Sequence, residues 1–430
     1  MIKILYIYLL LILFTSCSIN QNSKFWTKTE KIEEENQSNV KKLLVKEKAL
    51  NKEFNQDLKL NIKFDDNINK NFNNYNKNDF NANLSNTSKF KFSKIENFEK
   101  IEPEIILYDD FLVFFDGNGS ILKFDTKSNL IWKKNYYLKS EKKLRPLLEF
   151  ANSDNFLVVA DNISKIYKID LDSGELIWSK RNVAPFNSEI KIFKDKIFVI
   201  DYSNTLRSYS LKDGNQIWSV NTQNSLIRSK KKLSLIIIDE KVIFNNSIGD
   251  ITAVDINNGQ LLWQLPTQNS LNNESAFSLK NSNIVTDGKD LIFSNNKNQI
   301  FSIDIKSGSF NWETKVNSFI ASAILDNLIF TISLEGYLVV IEKNSGNIIR
   351  ITDIFNKFEN NERSNIFPTG FSLGFNKIYL STSNGRLLII DLSSGKTISL
   401  FKIDNQTISK PFILNNSMFI AKNNAVIKID

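Results

Sequence analysis

The chain offers few side chains for chemistry. Its 430 residues include no histidine, which excludes histidine acid/base catalysis, histidine-ligated metals and haem. There is one cysteine, Cys17, so intrachain disulfides and cysteine metal clusters are excluded as well. What remains is one thiol, a recurring set of tryptophans (Trp132, Trp178, Trp218, Trp263 and Trp312), and Asp and Asn residues that fall mostly at turn positions. A thiol can be a nucleophile and accept an acyl or alkyl group. Regularly spaced indoles can stack on sugars or a quinone, or pack between structural repeats. Recurrence at one framework position favours packing. The net charge is +8, but beyond residue 100 there are 38 basic and 35 acidic residues, without the basic stripe that nucleic-acid binding needs.

The surroundings of Cys17 define its use. Met1-Ile-Lys3 is a short basic start, Ile4 to Phe14 is apolar, and Thr15-Ser16 precede the thiol. About 11 apolar residues are too few to span a bilayer and suit the hydrophobic region of a signal peptide. Small residues before a cysteine resemble a bacterial lipobox, with Phe14 where Leu is usual. That resemblance implies a signal peptide over 1–16, cleavage before Cys17, and acylation that holds the protein on a membrane. Ser18, in place of Asp, resembles the signal for sorting to the outer membrane. An ordinary secretory signal with an incidental cysteine is the alternative.

All 14 glycines lie at or beyond Gly117 and all six prolines at or beyond Pro103. The stretch 17–87 is rich in Asn and Lys and too poor in apolar residues for a core, which predicts a flexible polar tether. Within it, Val40, Leu43, Leu44, Leu50 and Phe54 fall near helical spacing after Ser38, predicting a short solvated helix.

From residue 101 onward, short β-branched and aromatic runs alternate with turn residues. A unit recurs: a strand ending in Asp, a tight turn with Gly, then a strand with Trp. Copies run Asp125 to Trp132; Asp170, Gly174, Trp178; Ser210, Gly214, Trp218; Asp255, Gly259, Trp263; and Asp304, Gly308, Trp312. Two copies lose the Trp: Glu342, Gly346, Arg350, and Asp391, Gly395, Ser399. An eighth strand, Val426–Asp430, ends the chain. Periods of 38 to 49 residues with several strands each predict an all-β, eight-bladed β-propeller with four-stranded blades over 88–430. The glycines supply positive φ, the Asp carboxylates accept from turn amides, and the tryptophans pack on neighbouring blades. No residues follow Asp430 to form the fourth strand of blade 8. An N-terminal strand must close the ring, either Lys89–Ile95 or Leu58–Phe64.

The Asp-capped strand followed by Gly-x-x-x-Trp resembles the repeats of quinone-binding (PQQ-type) propellers, over about residues 101–430. Two groups share that architecture. Quinoprotein dehydrogenases bind PQQ and Ca²⁺ in the central funnel and use a vicinal cysteine pair, which this chain lacks. The BamB family, lipoproteins of the outer-membrane β-barrel assembly machine, binds no cofactor. Lipobox, tether and compact repeats together resemble the latter. The resemblance implies a non-catalytic scaffold without cofactor, lipid-anchored to the outer membrane on its periplasmic side. It implies binding to the POTRA domains of a BamA-like barrel protein and to other subunits of the machine. Ser225–Ser229 resembles the family's partner-binding loop, with Leu226, Ile227 and Arg228 as candidate contacts. The alternative is that Leu226 and Ile227 begin a strand while Arg228 and Lys230–Lys232 form a solvated charge run. An envelope propeller that binds a polysaccharide or peptide is a third reading of the whole chain.

Overall fold

A computed structural model describes residues 52–62, 84–153, 155–222, 231–267, 280–296 and 298–430. They form eight four-stranded antiparallel sheets arranged as the blades of a β-propeller. Blade 1 is representative, with strands Ile106–Leu107, Phe111–Phe115, Ile121–Asp125 and Leu130–Lys134 from the inside outward. Its second and third strands, FLVFF and ILKFD, are buried nearly throughout, whereas the outer strand LIWKK is exposed or half-buried. A meander in which the middle strands are covered on both faces requires such continuous apolar runs.

Apolar layers between successive blades make up the core. Val158, Ala160, Ile197 and Val199 join blades 2 and 3; Phe198, Ile200, Val242 and Phe244 join blades 3 and 4. Each blade thus buries its faces only against its neighbours, so the ring is stable when it is closed.

Closure falls to Thr87–Lys91. This strand pairs antiparallel with the chain's last strand, Ala425–Ile429, in the register Thr87↔Ile429 to Lys91↔Ala425. It supplies the outer strand of blade 8, whose other strands are Phe412–Leu414 and Ser417–Lys422. Of the two closing segments suggested by the sequence, the one around Lys89 performs this role. We call it the clasp. Its Phe90 is fully buried and meets Phe124 of blade 1 edge-on at 5.7 Å.

The other segment lies elsewhere. Residues 52–62, which we call the strap, run along the outer edge of blade 6 and on to blade 7. Phe54 and Ile351 exchange both backbone hydrogen bonds, at 3.0 and 2.9 Å. Phe54, placed by spacing in a helix, is therefore in an extended bridge; the rest of that predicted helix is outside the described residues. Leu60 and Ile62 pack against the apolar layer between blades 6 and 7.

Candidate functional site

The repeat residues build the ring's perimeter. In blade 2 the turn amide of Ser173 donates to Asp170 Oδ1 at 2.8 Å, and Gly174 takes φ +67°. The glycine is needed for contact as well as conformation. A Cβ at Gly214 would lie 2.6 Å from the Trp178 ring of the preceding blade. Each tryptophan lies against the glycine turn of the next blade: Trp132 on Gly174, Trp178 on Gly214, Trp218 on Gly259, Trp263 on Gly308 and Trp312 on Gly346. Four of the indoles also donate to the backbone carbonyl just after the next blade's turn Asp or its equivalent. Trp132 Nε1 reaches Leu171 O, Trp178 Leu211 O, Trp263 Ile305 O and Trp312 Lys343 O, at 2.7–3.3 Å. Trp218 Nε1 is buried without a partner among the described residues.

A β-bulge between the third and fourth strands precedes each of these positions, for instance between Lys123 and Phe124 opposite Leu130 and Trp132. The extra residue turns outward, which leaves Ile131, Ile177, Ile217 and Leu262 about half exposed while the Trp faces the next blade. Blade 6 keeps the bulge but carries Arg350 at the Trp position. This side chain is fully buried and takes the place of an indole against Gly395. Its guanidinium donates to Leu392 O at 3.3 Å, to Ser393 O, and to Leu58 O of the strap at 3.0 Å.

The loops leading into the inner strands surround a central funnel of about 540 Å³. Its walls differ. Its charged lining includes Glu102 and Glu104 before blade 1, Lys231 and Lys232 before blade 4, Lys280 before blade 5 and Lys410 before blade 8, whereas blades 6 and 7 contribute Phe319, Ile320 and Phe367; Glu149, Glu189 and Lys191 lie beside these charges. The charges are interlocked. Lys232 Nζ lies 3.0 Å from Glu149 and donates to Glu102 O at 3.1 Å; Lys231 lies 3.3 Å from Glu102; Lys191 lies 3.3 Å from Glu189. Asn283 of blade 5 donates to Glu189. Burial pushes both Glu104 and Glu149 up. For Glu104 the attraction of Lys232, Lys410 and Lys191 outweighs this and brings it down to about 2. Glu149 faces Lys232 but is also backed by Glu104 and Glu189, and it rises to about 7. Of the two carboxylates that share Lys232, Glu104 is therefore ionised first and Glu149 holds its proton longest.

Lys231 and Lys232 were legible only as the end of a charge run. Their side chains are 5% and 7% exposed, drawn into the funnel rather than solvated, because Glu102 and Glu149 await them on blades 1 and 2. Cys17 and the candidate partner residues Leu226, Ile227 and Arg228 lie outside the described residues.

Lys191, Lys231 and Lys232 are paired with glutamates. Among the described residues no group of three Asp or Glu could hold a metal.

The ring is thus a PQQ-repeat type, eight-bladed propeller whose funnel region holds three lysine–glutamate pairs. Residues 117–352, more than half of the chain, match the family described as outer membrane protein assembly factor BamB, and the chain belongs to that family. Among solved structures, BamB from Moraxella catarrhalis superposes with a TM-score of 0.64 at 15% identity, covering 80% of this chain and 100% of that one. The computationally designed protein Ika8 gives 0.60 at 12% identity, covering 79% and 98%. The quinohemoprotein alcohol dehydrogenase ADHIIG from Pseudomonas putida HK5 gives 0.61 at 10% identity, covering 83% and 78%. At these identities the likeness to each structure is one of fold.

Proposed function

We propose that this protein is a non-catalytic scaffold of the β-barrel assembly machinery, which aids folding and insertion of outer-membrane β-barrel proteins. The observation that carries this reading is the family match over residues 117–352. In keeping with it, Lys191, Lys231 and Lys232 of the funnel region are each ion-paired with a glutamate. On this reading Cys17 is lipidated and holds the ring at the periplasmic face of the outer membrane. Leu226, Ile227 and Arg228 bind a BamA-like POTRA region, Arg228 through its planar multi-donor head.

Titration of purified POTRA domains against parent and Arg228→Glu proteins tests the partner surface. Binding should weaken by ~2 kcal/mol or more with the melting temperature unchanged, as for an interface anchor. Equal affinity would remove Arg228 from the interface. Cys17→Ala should abolish incorporation of a fatty-acid analogue in cells; undiminished label in that variant would exclude Cys17 as the acceptor.

A further inference from the structure

We propose that residues 52–62 fix the point at which the N-terminal chain leaves the ring, and that Arg350 is the positioning residue that latches them. The latch itself stands on geometry alone; its consequence for membrane reach rests on the reading of Cys17 as the anchor.

Blade 6 is where the Trp–Gly arrangement changes, and it is also where the strap lies. In blades 1 to 5 the outer strand ends its sheet with no neighbour beyond it among the described residues. On blade 6 the strap takes that place. Phe54 pairs with Ile351, Asn55 Nδ2 donates to Ile349 O at 3.2 Å, and the Asp353 amide donates to Glu53 Oε1 at 3.0 Å. Further along, the Leu60 amide donates to Ser393 O at 3.1 Å and Ser393 Oγ donates to Leu60 O at 3.0 Å. Arg350 joins the two halves. It holds the blade 7 turn through Leu392 O and Ser393 O, as an indole would, and extends a further donor to Leu58 O.

An indole could not do this. It has one N–H, which four of the five Trp-bearing blades use up on the next blade's carbonyl. A guanidinium has five donors in a fixed fork and can bind that carbonyl and a second chain together. The substitution has a cost: a fully buried cation that, among the described residues, has no carboxylate hydrogen bond and no partner for its Nε. Burial accordingly lowers the Arg350 pKa to about 10. The repeat position would be better filled by Trp if blade packing were its only task. The strap carbonyl is what distinguishes this site from the other five.

The consequence concerns reach. Without the strap, the first attachment after Cys17 would be the clasp, 70 residues on; with it, attachment begins at Lys52, 35 residues on. Tension on the tether is then taken at blades 6 and 7, and the clasp that closes the ring is spared.

The test uses the full chain with Cys17→Ser, so that no sample can be lipidated and the outcome is independent of acylation. Cysteines placed by Lys52→Cys and Lys212→Cys, the latter in an exposed turn of blade 3, carry spin labels. Amide exchange is followed at Phe54 and Leu60. The parent should show one narrow distance distribution and protected amides. Arg350→Trp restores the indole of the other blades. It should melt within about 2 °C of the parent, yet broaden the distribution and speed exchange at both amides by about 10-fold or more. Phe54→Pro removes the N–H bonded to Ile351 at a site remote from the core, and serves if Arg350→Trp does not fold. It should loosen the strap in the same way, read by the distance distribution and by exchange at the Leu60 amide, since proline carries no amide hydrogen. A narrow distribution and parent-like protection in a folded Arg350→Trp protein, or in Phe54→Pro, would overturn the proposal.

Discussion

The N-terminal chain meets the ring twice, by different physical means. The clasp is a five-residue ladder at the outer edge of blade 8; Thr87, Lys89 and Lys91 are exposed, but Phe90 turns inward at 0% exposure. The strap has one bridged pair, a half-exposed Phe54 at 52%, and a mixture of backbone and side-chain hydrogen bonds. The clasp removes an open edge and two unburied apolar faces, so folding depends on it. The strap joins a ring already complete and adds little buried area. Closure is a matter of hydrophobic burial; positioning a tether is a matter of directed polar bonds. The same stretch of sequence, forty residues from Lys52 to Lys91, serves both.

The largest effect should come from breaking closure. Deleting Val426–Asp430 removes the partner of the clasp and the third strand of blade 8 together. Cooperative thermal unfolding should be lost or shifted far downward. Phe90→Ala, a milder version, should cost about 3–5 kcal/mol in denaturant titration, as for other fully buried Phe truncations. A parent-like midpoint for either protein would show that the ring holds without its clasp.

Perimeter packing should rank next. Trp178→Ala empties the slot over Gly214 but starts from a half-buried ring, so about 2–3 kcal/mol is expected. Gly214→Ala acts on the same contact from the other side. Its Cβ would meet the indole at 2.6 Å with φ at +71°, and a loss of about 1–3 kcal/mol should follow. The double variant should lose less than the sum, because the two residues share one contact. Strict additivity in equilibrium unfolding would contradict it.

The funnel provides a control that touches neither N-terminal segment. Glu149, raised to about 7, keeps its proton in the folded protein where the unfolded chain has already lost it. Its contribution is therefore full below about pH 4.5 and declines as pH rises towards 7. Glu104, lowered to about 2, acts in the opposite sense: its contribution is present above about pH 4.5 and is lost as pH falls towards 2. Glu149→Gln should flatten the decline between pH 4.5 and 7 by about 1–2 kcal/mol, with water in the funnel screening the rest. An unchanged slope in melts across that range would show that Glu149 titrates normally.

These regions differed in how much could be read in advance. The Asp–Gly–Trp unit was legible because its causes are local: a turn amide, a positive φ and a large side chain at fixed offsets. Eight strands ending the repeats also required a closing strand. Which segment supplied it was not readable, since Thr87 and Ile429 meet only after seven blades have been laid down. Lys231 and Lys232 looked solvated because a charge run shows no partners; Glu102 and Glu149 arrive from other blades. Arg350 was visible as a worn repeat. Its partner, the Leu58 carbonyl 292 residues away, was not.

The smallest global effect should come from the strap, and that separates it from the clasp most directly. Phe54 is half exposed, and its backbone pairing lies at the edge of blade 6 with no strand beyond. Phe54→Ala keeps the N–H and C=O that pair with Ile351 and removes only a side chain already largely in water. Substitutions of this kind usually stay within about 0.5 kcal/mol. Phe90→Ala, the same chemical change 36 residues on, should cost several times more. The ratio between the two measures how unequally the chain divides closure and positioning. Denaturant titrations of both proteins under one set of conditions give that ratio directly. Comparable losses would mean that the strap is part of the cooperative ring rather than an addition to it, and amide exchange at Phe54 would then follow global unfolding instead of local opening.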